Sequence, residues 1–581
     1  MTSDPSAAVS LPEPLPELLP GQPADTRVAA PIPRVRGNDY STLVPPELGT
    51  WTPTMRVSVV IPAYGRQEEL DLALAGLTQQ TYPSGLTEVV VVDNGSEPPL
   101  RLPGLRPEGT RLLVCATPGR AAARNTGLRA ATGEVVFWLD SDVVAERTAL
   151  EAHMRWHHQA PYLAVTSRLR FSSAPPPTPA DVVETDERST LFEPSEPHQW
   201  LTDLVEHSDG LRAPTQRAFS LHVGGSTSVN AALIAASGPM DEDLTLGQDI
   251  ELGYRLSQAG AVFVPDREAV GYHLGPTMRM REATAVSRAD HAFIPDRIPH
   301  YRWLRSHPFR RWLVPYVEVE VDAEGASYED VRTSVDAVLA ATVADVSVIL
   351  KGSWDGIEPD RREPLKDPEL DKVLIRGHYA HEPLVRLGGT PGLAPFVLRL
   401  PAGWAPGEDA LAGLLDMMVK RDLGLVSIVL AEGPEGVTAA RLERTAAFAR
   451  ARIVAEPGED LDGAVSDVFG STRVDGAEYD FLPTGSAPPA QGRRIAYQAK
   501  GDPSSRAEVK RLTGEVERLT AKVAELREES KSWRSNAMQY RRDIATLRKQ
   551  VNELKGGGIR RIGRRLGLRR IKLMLDSRRK S

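Results

Sequence analysis

Long runs of apolar, mostly β-branched residues constrain the fold of this chain more than any other feature. Three of them occupy 57–61, where Ser58 is the one polar residue, 89–92 and 135–139, and segments with a helical spacing of apolar residues lie between them at 68–79 and 119–132. A strand that is apolar at every position is buried on both faces, and strands that alternate with helices are typical of a parallel sheet between two helical layers. The sequence therefore predicts an α/β fold for the first half of the chain.

The run at 135–139 ends in two carboxylates, Asp140 and Asp142, which are separated by one residue. Alternate residues of an extended chain point to the same side, so both carboxylates share a face where the strand ends. Ligands bind at the carboxyl ends of strands in open α/β sheets, and two neighbouring carboxylates repel unless a cation relieves them. A divalent cation carrying a diphosphate suits such a pair, because Mg²⁺ and Mn²⁺ prefer hard oxygen ligands. A solvated turn after the strand is the alternative interpretation.

Five short motifs follow one another along this part of the chain. They are Val-Ser-Val-Val-Ile-Pro-Ala-Tyr at 57–64, Val-Val-Asp-Asn-Gly-Ser at 91–96, Ala-Arg-Asn-Thr-Gly-Leu at 123–128, Leu-Asp-Ser-Asp at 139–142 and Gly-Gln-Asp-Ile-Glu-Leu-Gly-Tyr-Arg-Leu at 247–256. In this combination the chain resembles the family 2 glycosyltransferases, from about residue 55 to about residue 273. The resemblance implies the GT-A nucleotide-diphospho-sugar transferase fold, which is α/β with a Rossmann-like mixed sheet.

The resemblance also implies roles on the side of the sugar donor. Nucleotide-sugar binding would fall to a set of seven residues: Pro62, Ala63, Tyr64, Arg66, Asp93, Arg124 and Asp140. A carboxylate at 93 can accept hydrogen bonds from a base or a ribose, whereas the Asp-Asn-Gly sequence there also suits a turn. A long cation at 124 can reach a phosphate or Asp142, and an ordinary surface arginine is the alternative.

Metal binding and proton transfer complete the site that the resemblance implies. Asp140 and Asp142 would hold Mn²⁺ or Mg²⁺, which neutralises charge on the departing nucleoside diphosphate. Asp249 matches the position of the general base, which is needed because an acceptor hydroxyl is a poor nucleophile until its proton is removed. Some metal-dependent members of the fold supply a histidine as a third ligand. His273 is the candidate for that ligand, and a packed or solvated histidine is the alternative.

The acceptor side is predicted at the segment 220–230, which leads into a helix at 231–237. Gly224 and Gly225 allow the backbone to approach a ligand closely. Gln248 stands where many relatives carry Glu, whereas Asp249 is retained. We therefore expect Gly224, Gly225 and Gln248 to contact the acceptor.

Length and composition set outer limits. A chain of 581 residues is too long for one ordinary core, so two or three globular units are expected. The single cysteine, Cys115, excludes internal disulfides and favours a reducing compartment. No apolar run approaches the ~18–20 residues that span a bilayer, and the amino terminus lacks a signal pattern. We expect a cytoplasmic protein in which a disordered, Pro-rich segment at 1–54 precedes a GT-A catalytic domain at 55–315.

An α/β pattern starts again at 316–485. Segment 317–321 matches 57–61, segment 346–353 matches 89–96, and segment 375–403 matches 114–142 without a gap. This internal similarity predicts a degenerate GT-A-like domain, and an unrelated α/β domain is the alternative. The alignment replaces the residues that carry chemistry in the first copy: Leu350 stands for Asp93, Val385 for Arg124, Pro401 for Asp140 and Gly403 for Asp142.

The last part of the chain has a different pattern. After a linker at 486–505, seven heptads at 506–555 carry mainly Val at position a and Leu at position d, which favours a parallel two-stranded coiled coil and hence a homodimer. The tail at 556–581 is basic, and its stretch 559–580 has the amphipathic pattern of a segment that binds an anionic membrane surface. Nucleic acid is the rival partner, but the net charge of the whole chain, −8, argues against it.

These features together predict a metal-dependent, inverting glycosyltransferase. It would move a sugar from a nucleoside-diphosphate sugar to a hydroxyl of a glycan or a lipid-linked acceptor, in cell-surface glycan or polysaccharide synthesis. The expected location is cytoplasmic, with peripheral attachment at the inner face of the cell membrane. Two alternatives stay open at this point: a non-catalytic nucleotide-binding scaffold organised by the coiled coil, and another GT-A-fold enzyme such as a sugar nucleotidyltransferase.

Overall fold

The computed structural model describes residues 31–305, 310–434 and 436–486, together with a few helical positions between 514 and 547. Its contacts divide the chain into two compact units, 1–493 and 494–581. The expectation that all of 1–54 is disordered is wrong for residues 31–54. Val35 and Leu43 of this segment are buried in a hydrophobic cluster of the first unit, because they cover apolar side chains of both of its sheets.

The first sheet has nine strands, and helices connect them. The strands are β1 (Val57–Ala63), β2 (Thr87–Asp93), β3 (Arg111–Val114), β4 (Val135–Leu139), β5 (Val143–Ala145), β6 (Leu163–Ser172), β7 (Ser195–Pro197), β8 (Ser226–Asn230) and β9 (Val262–Leu274). The helices are α1 (Gln67–Leu77), α2 (Arg120–Ala130), α3 (Ala149–His157), α4 (Pro179–Glu184), α5 (Ser189–Phe192), α6 (Gln199–His207), α7 (Ala231–Ser237), α8 (Gln248–Gln258), α9 (Met278–Arg281) and α10 (Ala283–Arg297).

The strand order of this sheet is β3-β2-β1-β4-β8-β6-β9-β5, with β7 beside β6. The four strands from β3 to β4 are parallel, β8 is antiparallel to both β4 and β6, and β6 and β9 are parallel. Every residue of β1 and β4 is buried, as the unbroken apolar runs predict. The sheet is therefore mixed and Rossmann-like, and the predicted fold class is confirmed.

Close packing of α2 on the sheet depends on a glycine. A side chain at Gly127 would place its Cβ 2.3 Å from Cγ1 of Val60 on β1. Heavy atoms do not approach so closely, so only a residue without a Cβ lets α2 lie at this distance from the strand. The carboxyl ends of β1, β2 and β4 consequently meet beside α2 at one edge of the sheet, where ligands bind in folds of this kind.

A second sheet with its own helices follows in the same unit. The strands are β10 (Val317–Asp322), β11 (Val346–Lys351), β12 (Val385–Leu387), β13 (Phe396–Pro401), β14 (Trp404–Ala405), β15 (Leu425–Gly433), β16 (Gly436–Arg444), β17 (Ser471–Asp475) and β18 (Leu482–Pro483). The helices are α11 (Tyr328–Leu339), α12 (Leu370–Tyr379), α13 (Ala410–Lys420), α14 (Thr445–Val454) and α15 (Leu461–Val468). The order is β12-β11-β10-β13-β16-β15-β17, and β14 pairs with β18 separately.

The order and directions of the second sheet follow those of the first. β10 to β13 are parallel, β16 is antiparallel to β13 and β15, and β15 and β17 are parallel. In register, Val57 of β1 faces Val135 of β4, and Val317 of β10 faces Phe396 of β13. This places Leu400 at the position of Leu139, as the alignment predicts.

Two details of the alignment are wrong. Val385 does not stand for Arg124, because it begins strand β12, and between β12 and β13 the described residues form no helix that would correspond to α2. Leu350 does not stand for Asp93 either. Thr87 of β2 pairs with Val57, the first residue of β1, and Val346 of β11 pairs with Val317, the first residue of β10. When the two strands are counted from these partners, the position of Asp93 corresponds to Gly352.

The two sheets of the first unit share a packed interface. One hydrophobic cluster joins side chains of β6 and β9 to side chains of α14 and α15, among them Val165, Val264, Phe448 and Val465. Within it, the buried guanidinium of Arg450 donates hydrogen bonds to four backbone carbonyls, those of Val35, Gly37, Gly260 and Ala261. The second sheet is thus a fixed support of the first.

The second unit is described only at a few positions, such as Leu519, Ile544 and Leu547, which are helical. The predicted pairing of 506–555 and the basic tail at 556–581 lie outside the described residues. Among the helices of the described residues, none is long and apolar enough to cross a membrane.

Candidate active site

A cleft of about 1290 Å³ opens at the carboxyl ends of β1 and β4. It brings together most of the residues that the sequence singles out: Pro62, Ala63, Tyr64, Arg66, Asp140, Asp142, Gly224, Gly225, Gln248, Asp249 and His273 all line it. Asp93 and Arg124 are not on its wall. The predicted donor, metal, base and acceptor residues therefore share one cleft, with two exceptions.

Arg124 lies behind the wall and joins its two sides. It is buried on α2, and its Nη2 donates to Oδ1 of Asp140 at 2.6 Å while its Nη1 donates to Oδ1 of Asp249 at 2.5 Å. Nη2 also donates to the carbonyl of Gly224 at 3.0 Å. One guanidinium thus connects the end of β4, the start of α8 and the predicted acceptor loop.

The charges of this group stabilise one another. Burial lowers the pKa of the Arg124 guanidinium, but the charges of Asp249 and Asp140 outweigh that effect and hold its pKa above the ordinary value. Burial likewise raises the pKa of Asp140, yet the neighbouring Arg124 outweighs it, so that the pKa lies below the ordinary value. Asp140 is therefore a carboxylate, and Arg124 is its counter-ion.

Asp142 and His273 meet next to this group, because β5 pairs with β9 so that Val143 faces His273. The Nε2 of His273 lies 3.5 Å from Oδ2 of Asp142. Nδ1 of His273 lies 2.8 Å from the carbonyl of Gly275, which accepts a hydrogen bond from the protonated Nδ1, so Nε2 is the ring nitrogen that faces Asp142. Burial raises the pKa of Asp142, and the charge of Asp140 raises it further.

These residues fit a divalent cation in chemical type. Metal-bound histidines commonly donate their second nitrogen to a carbonyl, as His273 does, and carboxylates that repel each other gain from a cation between them. Across the described residues, no three His, Cys, Asp or Glu side chains are gathered closely enough to count as a ligand group. The assignment of His273 as a third ligand therefore stays a prediction.

Asp93 has a different environment from the one expected. It is buried, and its carboxylate accepts hydrogen bonds from the backbone N–H and hydroxyl of Ser96 and from the N–H of Leu100. Burial raises the pKa of Asp93, but these hydrogen bonds outweigh it and lower the pKa overall. The carboxylate holds the loop after β2, and the neighbouring Asn94 and Gly95 line the cleft in its place. Its role in nucleotide binding stays a prediction.

Of the two glycines of the acceptor loop, Gly224 is required by the position of Arg124, whereas a Cβ at Gly225 would make only an ordinary contact with Asp140. A Cβ at Gly224 would lie 2.2 Å from Nη2 of Arg124, and a Cβ at Gly225 would lie 3.4 Å from Oδ2 of Asp140. The carbonyl of Gly225 also accepts a hydrogen bond from the backbone N–H of Asp140 at 3.1 Å. A larger residue at 224 would displace the guanidinium that links the two carboxylates.

The structure adds residues that the sequence does not single out. His222 is buried beside Asp249, whose backbone carbonyl lies 2.8 Å from its Nδ1, and burial lowers the pKa of this histidine to about 4. Arg217, Tyr301 and Trp303 also line the cleft. A weak signal exists for three of them, because His222 lies within the segment 220–230 and the two aromatic residues lie in a stretch rich in Trp and Arg, whereas no sequence pattern singles out Arg217.

A mixed sheet of this order, with paired carboxylates at the end of β4 and a further carboxylate at the start of α8, defines a glycosyltransferase domain of the GT-A fold. The model of the family described as "Glycosyl transferase family 2" matches residues 58–213. This match confirms the resemblance to the family that the sequence shows.

Relatives with known names extend the similarity beyond the family match. Validoxylamine A glucosyltransferase of Streptomyces hygroscopicus subsp. limoneus is 29% identical over 46% of this chain and 62% of the relative. Chondroitin synthase of Pasteurella multocida (strain Pm70) is 24% identical over 58% of this chain and 36% of the relative. The chain therefore spans less than two thirds of either relative.

Solved structures resemble the chain at lower identity. The mannosyltransferase PcManGT from Pyrobaculum calidifontis in complex with GDP-Man and Mn²⁺ is 19% identical, with a TM-score of 0.29 over 44% of this chain and 66% of that one. The TarS structure from S. aureus is 17% identical, with a TM-score of 0.28 over 38% of this chain and 37% of that one. The family assignment rests on the family match and the named relatives rather than on these structures.

Proposed function

We propose that the chain transfers a sugar from a nucleoside-diphosphate donor to a hydroxyl acceptor, with inversion at the anomeric carbon. The observation that carries this proposal is the bridge formed by Arg124 between Asp140 and Asp249. Through this bridge, Asp140, which we assign to the donor side, and Asp249, which we assign to the acceptor side, lie in one cleft. The buried side chain of Arg124 sets the distance between them.

Asp249 is the proposed general base. Arg124 engages its Oδ1, and among the hydrogen bonds of the described residues none involves its Oδ2. That second oxygen is free to take the proton of an acceptor hydroxyl as the hydroxyl oxygen attacks the anomeric carbon. Arg124 fixes the orientation of the carboxylate, and the attack from the side opposite the leaving diphosphate inverts the anomeric centre.

On the donor side, we assign metal binding to Asp140, Asp142 and His273, with Mn²⁺ or Mg²⁺ as the ion. When bound, the ion would act as a Lewis acid towards the oxygens of the diphosphate. Tyr64, whose side chain is exposed at the cleft, together with Pro62, Ala63 and Arg66, forms the proposed wall for the nucleotide.

The test uses the purified full chain with a panel of UDP-, GDP- and dTDP-sugars and Mn²⁺, and measures nucleoside diphosphate release with and without acceptor sugars. Asp249→Asn and Asp142→Asn should lower turnover by about 10²-fold or more, because each removes a charge used in the reaction. Asp416→Asn, which changes an exposed carboxylate on α13, is the matched control. Turnover that survives in Asp249→Asn would refute the role of the base.

The carboxyl-terminal unit carries separate proposals. We propose that 506–555 forms a parallel coiled coil that makes the chain a homodimer, and that 559–580 binds an anionic membrane, which would bring the cleft to lipid-linked or cell-surface glycan acceptors at the inner face of the membrane. Light scattering of the full chain and of a chain ending at 505 should give the masses of a dimer and a monomer. Flotation with phosphatidylserine vesicles should depend on residues 556–581.

A further inference from the structure

One part of the cleft wall combines a cation with two aromatic rings. Arg217 precedes the helical turn Ala218–Leu221, and Tyr301 and Trp303 lie in and next to the turn Arg302–Leu304. The guanidinium carbon of Arg217 is 5.8 Å from the ring centroid of Tyr301 and 5.5 Å from that of Trp303. These distances are within the range of cation–π contacts, which hold the guanidinium beside the two rings and leave its planar set of donors for a carboxylate or phosphate.

Arg217 has no carboxylate partner among the described residues. Among the other arginines of the cleft wall, Arg66 pairs with Glu69 and Arg279 pairs with Asp290, whereas Arg120 and Arg281 have no ion pair among the described residues. Arg217 differs from these last two because it contacts two aromatic rings. In the described ranges 31–305, 310–434 and 436–486, no ion pair includes Arg217, and its Nε is buried without a hydrogen-bond partner. A partly buried arginine without a counter-ion leaves donors available for an anion that enters the cleft.

Trp303 offers a flat apolar surface at the same place. Its side chain is 64% exposed although it lines the cleft, so one face of the indole is available to a ligand. The C–H face of a sugar ring is itself flat and apolar and packs well on such a surface, in keeping with the aromatic lining of small-molecule sites.

This surface is continuous with the proposed base. The hydroxyl of Tyr301 lies 3.4 Å from Oγ of Ser220, and Ser220 and His222 line the cleft. Nδ1 of His222 in turn lies 2.8 Å from the backbone carbonyl of Asp249. An acceptor held at Trp303 would therefore occupy the side of the cleft where Asp249 is proposed to remove a proton.

We propose that Arg217 and Trp303, supported by Tyr301, form an acceptor subsite for a sugar that carries a carboxylate or a phosphate. Trp303 stacks on the sugar ring, and Arg217 forms a charge-assisted, two-pronged contact with the anionic group. This inference rests on the proposed function, since it names the chemical class of the acceptor for the same cleft.

The test is direct binding of three probes to the full chain, measured by titration calorimetry or ligand-observed NMR: glucose, glucuronate and glucose 6-phosphate. The wild-type chain should bind at least one of the two anionic probes more tightly than glucose. Arg217→Gln should weaken that binding about tenfold to a hundredfold, as expected for loss of a charged hydrogen bond, and should leave the affinity for glucose unchanged. Trp303→Ala should weaken the binding of all three probes.

Arg302→Gln is the matched control, because it removes the same charge from an exposed neighbour that stacks on Tyr316 and does not line the cleft. Arg217→Lys should recover only part of the anion preference, since lysine keeps the charge but loses the planar fork. Thermal unfolding of each variant separates loss of the subsite from loss of the fold.

The proposal is overturned if neither anionic probe binds the wild-type chain more tightly than glucose, or if Arg302→Gln weakens anion binding as much as Arg217→Gln. Donor turnover is measured independently of these titrations. A chain that turns over no nucleotide sugar but shows the Arg217-dependent preference would refute the transferase proposal alone. Turnover without the preference would refute the subsite alone.

Discussion

Arg124 and Asp249 are 125 residues apart in the sequence, yet Nη1 of the one lies 2.5 Å from Oδ1 of the other. Arg124 is buried, whereas the side chain of Asp249 is partly open to the cleft. The contact fixes the orientation of the Asp249 carboxylate, which faces the cleft. The cation that holds it, Arg124, is buried behind the cleft wall.

Replacing Arg124 by methionine should abolish this orientation and leave Asp140 and Asp249 without their shared counter-ion. Loss of one partner of a buried ion pair typically costs about 3–5 kcal/mol of unfolding free energy. We expect a clear fall in Tm and a loss of turnover of about 10²-fold or more, measured as nucleoside diphosphate release. Arg129→Met, at an exposed position of the same helix, should change neither quantity. Half or more of the wild-type turnover in Arg124→Met would contradict the bridge.

Gly224→Ala tests the same bridge without removing a charge. The added Cβ would lie 2.2 Å from Nη2 of Arg124, so the guanidinium must leave its position between the two carboxylates. We expect turnover to fall at least tenfold while the chain stays folded by circular dichroism. Gly85→Ala is the matched control, because a Cβ there meets no atom within 4 Å. Equal turnover in both variants would show that the position of Arg124 does not matter.

The strand-end carboxylates were predictable and the bridge was not. Asp140 and Asp142 follow a five-residue strand that is buried throughout, and the periodicity of a strand places both on one face. From the sequence, Arg124 is predicted to contact a nucleotide phosphate or Asp142. Its actual position depends on how closely α2 lies on β1 and on the missing side chain at Gly224, and contacts of that kind are made between segments distant in the sequence.

The second sheet also shows which features of the fold the sequence pattern can and cannot predict. The register of β13 follows from the ungapped alignment of 375–403 with 114–142, which places Leu400 on Leu139 as the strand pairing does. Val385 was misplaced, because the short segment Val385–Leu387 has no periodicity that distinguishes a strand from a helix. The pattern alone could not reveal that α12 comes before this strand rather than after it.

Addition of Mn²⁺ should raise the Tm of the wild-type chain. Burial and the charge of Asp140 raise the pKa of Asp142, so the ionised form is unfavourable until a cation offsets it. An ion that binds only the folded state stabilises it by about 2.7 kcal/mol at a hundred times its Kd. Asp142→Asn should remove most of this shift, and Asp416→Asn should keep it. A shift of equal size in all three proteins would assign it to a different site.

Acid should destabilise the fold through buried neutral histidines. Burial lowers the pKa of both His153 and His157 to about 3, and both hydrogen bond to the hydroxyl of Ser228. The unfolded chain binds protons at these histidines near pH 6.5, whereas the folded chain does not, so their contribution is complete above about pH 6.5 and is lost as the pH falls towards 3.

Each of these histidines should cost about 1.4 kcal/mol of unfolding free energy per pH unit below pH 6.5. Urea unfolding at pH 7.5, 6.0 and 5.0 measures this slope. His157→Gln should make the slope shallower by the share of one histidine, and His207→Gln, at an exposed position of α6, should leave it unchanged. An identical slope in wild type and His157→Gln would contradict the assignment.

Arg450→Met should weaken the packing between the two sheets of the first unit and lower the free energy of unfolding. The guanidinium donates to four backbone carbonyls, of which those of Gly260 and Ala261 precede β9. Burial lowers its pKa to about 10, and the nearby Tyr162 and Asp422 only partly offset this effect. Removing it leaves those buried carbonyls without donors, so we expect a loss of about 3 kcal/mol or more in urea unfolding. Arg452→Met, which changes an exposed residue of the same helix, should cost less than about 0.5 kcal/mol. If the second sheet supports α8 and β9, turnover in Arg450→Met should fall at temperatures well below its Tm, and an unchanged rate would mean that the site does not depend on this support.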